Sequence, residues 1–223
     1  MEIQLSHELL ERIPNLKLGI IEYKDITVGV SPQMVRGRLQ LFQESIYFEL
    51  DNKNMADLPG IQEWRQIFKM FGKDPNRYRH SAEALMRRIQ KQNYLSSVQS
   101  AIDLNNFFSL QYQVPIGIYD QDLLTGPLTV RIGLEGEEYL GLNGRENSLQ
   151  NLIISVDKNG PFGSPFVDSD RTQVTFSTKN ALQIIYLRPS TDLANAKKLT
   201  ESLMNMFNQI HGGESSFRIL GCQ

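Results

Sequence analysis

The order of the patterned segments predicts an α+β fold, with helices layered around a β-sandwich-like sheet core. Residues 31–110 carry a run of helical patterns, whereas from Pro115 onward short β-rich runs alternate with Gly, Asn, Asp and Pro clusters. One amphipathic segment then closes the chain, so helices and strands segregate instead of alternating as strand–helix units. No internal repeat and no linker-like composition interrupts this order, and residues 1–223 read as a single domain.

The first strand pair is LKLGIIEY with DITVGV, residues 16–30, rich in β-branched side chains. Ser31-Pro32 reads as an N-cap followed by proline at the first helical position. Behind it, Val35, Leu39, Phe42, Ile46 and Leu50 mark a buried helical face. A second helix over 61–71 ends at Gly72, placed for a left-handed C-cap, and Asp74-Pro75 turns the chain. Ser81 reads as the cap of a third helix with Leu85 and Ile89 inward, and a fourth helix covers 97–110. The strands PIGIYD, PLTVRIGL, NLIISVD, TQVTFST and ALQIIYLRP follow. The closing helix, 191–209, has Leu199, Leu203, Met206 and Ile210 along one side. Gly212-Gly213 ends it, and SFRIL returns as an edge strand.

Composition narrows the function classes. With 40% hydrophobic and 22% charged residues the chain has an ordinary globular balance, and no run approaches the roughly 20 apolar residues of a membrane span. The first residues carry acids where a secretory signal needs bases, and Cys222 is the sole cysteine, so a reducing, cytoplasmic location is expected. His7, His80 and His211 stand far apart with no metal-ligand spacing, so neither a metal nor a cofactor is expected. Gly-x-Gly-x-x-Gly and Gly-x-Ser-x-Gly motifs are absent, and no thiol–imidazole pair is in prospect. No catalytic side chain can be assigned.

Charge is distributed unevenly. Between Arg65 and Lys91 eight basic residues face two acidic ones, Asp74 and Glu83, a local charge of +6 that leaves −8 on the rest of a chain whose net charge is −2. Arg77, Arg79, Arg87, Arg88 and Lys91 at this helix-turn-helix joint are candidate contacts for a nucleic-acid backbone. A pair of solvated helix faces, with some arginines paired to carboxylates, explains the same pattern.

Six short motifs follow one another in order: WRQIFKMFGKDPNRYRHSAEALMRRI, AIDLNNFFSL, VPIGIYDQD, PLTVRIGLEGEEYLGL, LIISVDKNG and TQVTFSTKNALQIIYL. Together they resemble the B3/B4 module, the tRNA-editing domain of the phenylalanyl-tRNA synthetase β-subunit, and more closely the free-standing proteins made of that module alone. The resemblance spans residues 64–187. Arg79, Ser81, Leu85, Arg88, Asp103, Asn106, Ser109, Asp120, Arg131 and Asp157 match the residue types of the free-standing family.

The resemblance implies an α+β fold, aminoacylated tRNA as partner, and ester hydrolysis by a positioned water without an acyl-enzyme, a reaction that orientation alone can accelerate. It also implies a pocket beside VPIGIYD, with Gly117, Tyr119, Asp120, Asn106, Thr175, Ser177 and Thr178 as candidate lining. Asn106 and Asp120 equally suit capping or turn roles. If TQVTFST is a strand, Thr172, Val174, Phe176 and Thr178 share one face and Gln173, Thr175 and Ser177 the other; which set faces the pocket stays open. Two departures stand out. Gly117 occupies the position of the synthetase histidine, and Gln183 and Ile184 stand where a late-strand glutamate is expected. The functions implied are trans-editing hydrolysis of misacylated tRNA or, alternatively, non-catalytic binding of RNA or an amino-acid-like ligand.

Overall fold

The structure, a computed structural model, describes residues 1–50 and 53–221; Cys222 lies outside the described residues. In chain order the elements are β1 (Ile3–Leu5), α1 (His7–Arg12), β2 (Leu18–Lys24), α2 (Gln33–Leu50), α3 (Pro59–Met70), α4 (Ser81–Gln90), α5 (Ser100–Tyr112), β3 (Ile116–Asp120), β4 (Leu128–Ile132), β5 (Glu138–Leu140), β6 (Glu146–Ser148), β7 (Ile153–Asp157), β8 (Gly160–Gly163), β9 (Ala181–Tyr186), α6 (Leu193–His211) and β10 (Glu214–Leu220). Two four-stranded sheets form, ordered β1-β4-β7-β8 and β10-β2-β9-β3, beside a β5-β6 hairpin. The fold is α+β.

Alternation along the strands explains the layers. Leu18 and Ile20 of β2 and Leu182, Ile184 and Tyr186 of β9 face the other sheet, meeting Leu128, Val130 and Ile153 in the sandwich core. Their neighbours in sequence, Ile21, Tyr23, Ala181 and Ile185, face outward and are covered by Leu104 and Phe108 of α5 and Leu203 and Phe207 of α6. A second helical layer, α2 and α4, closes over α5 through Leu39, Ile46, Met86, Ile89 and Leu110. Within the described residues no helix is long and apolar enough to cross a membrane.

Several expectations change here. DITVGV is not a strand: Asp25 takes a left-handed φ of 54°, and the Ile26 and Thr27 N–H groups donate to Lys179 and His211 carbonyls. The antiparallel partner of β2 on that side is β10, whose residues 214–220 include SFRIL at the sheet edge. TQVTFST starts at the last residue of a 3-10 turn, Asp170–Thr172, makes a lone bridge from Gln173 to Tyr119, then turns again. Ser31 does not serve its helix; its hydroxyl donates to Asp103 at 2.5 Å. α6 is anchored by Ala196, Thr200, Leu203 and Phe207, with Leu199, Met206 and Ile210 at the margin.

At α4 the cap is His80, not Ser81: the Glu83 N–H donates to His80 Nδ1 at 3.4 Å. His80 is fully buried, and burial, followed by the Arg65 charge, pushes it down to about 3. The folded state therefore holds the neutral ring, and its advantage is lost as pH falls from the unfolded value near 6.5. His80→Asn, which keeps a capping acceptor, should show a shallower acid loss of stability than the native chain. The difference should reach up to about 3 kcal/mol at pH 4, measured by urea unfolding between pH 4 and 8.

Candidate functional site

The joint between α3 and α4 is built by local rules. Gly72 adopts φ 74° after α3, letting the Lys73 N–H reach the Phe68 carbonyl at 2.9 Å. Asp74 Oδ1 then accepts from the Asn76 N–H at 2.9 Å, and the Ser81 N–H donates to the Pro165 carbonyl at 2.8 Å, docking the joint on the 164–168 turn. Glu83, with no solvent exposure, is the electrostatic centre. Arg65 meets both its oxygens at 3.2 Å, Arg87 lies at 2.8 Å and Arg79 at 3.9 Å.

The basic residues thus divide. Arg79 and Arg87 are committed to Glu83, although Arg79 Nε remains buried without a hydrogen bond. Arg77, Arg88 and Lys91 are exposed and form no ion pair among the described residues.

Beside this joint lies a cavity of about 560 Å³, bounded by α4, α5, the edge strand β3 and the segments around Leu142 and Phe166–Asp168. Its apolar walls include Leu85, Ile102, Ile116, Ile118 and Val167; Arg77, Arg79, Arg87 and Arg88 line it on the basic side. Asn106 is in its wall. Asn105, also in the wall, is spent structurally: its Nδ2 donates to the Ile116 carbonyl at 2.8 Å and its Oδ1 accepts from Gln183 at 2.8 Å. Gln183 in turn accepts from the Tyr23 hydroxyl at 2.9 Å. This neutral chain through Gln183 ties α5 to the sheet.

Asp168 is the acidic group of the cavity. Its Oδ1 accepts from the Tyr119 hydroxyl at 2.7 Å and from the Ser164 N–H at 3.2 Å, and Oδ2 has no hydrogen bond among the described residues. Desolvation beside Tyr119, Tyr139 and Tyr186 pushes its carboxyl up to about 7, against the hydrogen bonds that lower it.

The other expected lining residues lie elsewhere. Gly117 and Tyr119 face the sandwich interior, and a Cβ on Gly117 or on Gly163 would overlap the Tyr119 hydroxyl. Tyr119 thus fills the space that both glycines leave. Asp120 caps the short turn after β3, accepting from the Asp122 N–H at 3.0 Å and from Thr178 Oγ1 at 2.6 Å. Thr178 Oγ1 also accepts from the Thr175 N–H, and Thr175 and Ser177 share a hydroxyl contact at 2.8 Å in solvent. These four residues form a turn cluster at the end of β3. Asp168 and Asn105 were missed from the sequence, as was the hub role of Glu83. Only Glu83 left a signal, since Arg79 and Arg87 stand four residues on either side of it.

No three acidic, His or Cys groups cluster to hold a metal among the described residues. The B3/4 domain profile matches residues 63–206. An uncharacterized Bacillus subtilis (strain 168) protein, YhzB, is 35% identical over 96% of this chain and 96% of its own length. The phenylalanine–tRNA ligase β-subunit of Bifidobacterium longum (strain NCC 2705) is 31% identical over 59% of this chain, which spans 16% of that subunit. An N-terminal fragment of the phenylalanyl-tRNA synthetase β-subunit from Pyrococcus horikoshii superposes with a TM-score of 0.47 at 14% identity, covering 98% of this chain and 54% of that one.

Two outcomes follow from the geometry. Gly117→Ala should cost about 1–3 kcal/mol by overpacking. Combined with Tyr119→Ala, the double variant should be less destabilised than the sum of the singles by at least about 1 kcal/mol, read by denaturant unfolding. Asp168 has a folded-state pKa raised above its unfolded value, so its burden on the fold grows as pH rises from about 4 to 7. Asp168→Asn, which preserves the acceptor for Tyr119, should therefore raise Tm at pH 8 and leave it unchanged at pH 4.

Proposed function

We propose, from the premise that the chain belongs to the B3/4 domain family, that it hydrolyses the ester of misacylated tRNA in trans. The observation that carries this reading is the pairing of opposite charges in one cavity: exposed arginines on the joint side and a carboxylate with a free oxygen in the wall. An aminoacylated tRNA end presents the complementary pair, phosphates followed by an α-ammonium.

In this reading Arg77 and Arg88 take backbone phosphates, with Lys91 beyond them on the same surface. Asp168, once ionised, receives the ammonium of the esterified amino acid. The apolar wall of Leu85, Ile102 and Ile118 accommodates its side chain. An aminoacyl ester is already activated, so a water held against it in fixed orientation is sufficient chemistry for a site without a nucleophile. Selection for tyrosine is not part of the reading. The volume over Gly117 is filled by Tyr119, and both ends of Gln183 are engaged within the fold.

The test is a deacylation screen on a panel of mischarged tRNAs, with hydrolysis of at least one expected and tyrosyl-tRNA(Phe) among the slow substrates. Gly117→His should not speed the latter, because the ring has no space. Arg77→Glu with Arg88→Glu should weaken tRNA binding and flatten its salt dependence by about 2 in log–log slope. Hydrolysis of none of the panel would sink the catalytic reading. Salt-sensitive binding that survives without turnover would instead select the non-catalytic binding module, the second reading, which the absence of any nucleophile–base pair in the cavity wall favours.

A further inference from the structure

The face of α2 turned away from the core has a pattern that nothing in the fold explains. Met34, Leu41 and Phe48 are 52%, 68% and 73% exposed, and they recur every seven residues over about 21 Å of helix. The inward face, Val35, Leu39, Gln43, Ile46 and Leu50, lies on the opposite side and already satisfies the packing against α4 and α5. A soluble helix normally presents polar groups where these three stand.

The residues between the apolar positions fall in matched pairs about Leu41, small with small and basic with acidic. Four before it is Gly37 and four after it Ser45; three before it is Arg38 and three after it Glu44. Gly37 is a mid-helix glycine with open space where a Cβ would be, so no contact inside the chain requires it, and its presence weakens the helix. Arg38 has no ion pair among the described residues, and Glu44 accepts only from Gln40 at 3.3 Å.

We infer that this face of α2 is a self-association surface, on which a second copy of the chain docks its own α2 antiparallel about a two-fold axis at Leu41. In that register Leu41 meets Leu41, and Met34 stands level with Phe48 of the second copy. Arg38 stands level with the second copy's Glu44, within reach of two long side chains, and Gly37 with its Ser45, so the backbones approach closely at two related points. A parallel pair would set Arg38 against Arg38 and Glu44 against Glu44, so the charges select the antiparallel arrangement. Reversed, the strip is complementary to itself, which is what an isologous contact requires and a foreign partner does not. One helix face is a small interface, and the association belongs in the range of tens of micromolar.

Sedimentation velocity on the full chain from about 2 to 200 µM tests this, with far-UV circular dichroism as the control for folding. The weight-average sedimentation coefficient should climb toward a dimer across that range. Leu41→Glu, at an exposed position, should leave the spectrum unchanged and weaken association at least tenfold. Arg38→Glu and Glu44→Arg should each weaken it several-fold, and the double swap should restore it. A monomer at every concentration, or a dimer indifferent to Leu41→Glu, overturns the proposal. Failure of the double swap to restore association overturns the antiparallel register. None of these readouts involves tRNA, so the result is independent of the proposed hydrolysis.

Discussion

The candidate site depends on one buried carboxylate. Glu83 sits in the first turn of α4 with no solvent exposure, a position that would be prohibitive for an unpaired charge. Arg65 reaches it from α3, Arg79 from the joint and Arg87 from the next turn of α4. Because breaking such a buried arrangement costs about 3–5 kcal/mol, these three elements are held as one body. The hub also determines which arginines remain available. It absorbs those nearest the core and leaves Arg77 and Arg88, on the cavity wall, facing solvent.

On the other side of the cavity the constraint is neutral rather than ionic. The chain from Tyr23 through Gln183 and Asn105 to the Ile116 carbonyl satisfies buried polar groups at the junction of α5 with β3 and β9. It holds α5 over the edge strand while the apolar faces below it pack. The cavity is thus walled by two rigid supports, an arginine–carboxylate hub and an amide relay. Its most irregular wall, Phe166–Asp168, is tied down by Tyr119 and by the Ser81–Pro165 backbone contact.

Much of this was legible in the sequence. Long periodic segments, α2 through α6, and apolar runs such as those of β2 and β9, were identified because burial imposes their pattern. The three-residue strands β1, β5 and β6 are too short to show a period. DITVGV has strand composition but opens on a residue with positive φ, Asp25, and its backbone groups find partners outside any ladder. TQVTFST alternates, yet Thr175 and Thr178 bond to nearby backbone and side-chain groups and compete with sheet formation. At the site, the arginines were candidates by charge and Asn106 by the family resemblance. Asp168 was not, because its environment is assembled from residues such as Tyr119 and Tyr139, remote in the chain. Gly117 was noticed for its missing side chain, but only coordinates reveal that a tyrosine two residues on occupies the space.

The placement of β2 has a consequence for how the chain folds. This strand, LGIIEYK, lies between β9 and β10 and pairs with no other strand, its registers joining Leu18 to Tyr186 and Leu18 to Leu220. More than 150 residues separate it from either neighbour, so its ladder is a contact of high sequence separation and slow to close. While the helices α2 to α5 assemble from nearby contacts, an early-synthesised apolar strand waits with both edges open. Until β9 and β10 have emerged, neither edge is protected from mispairing and aggregation.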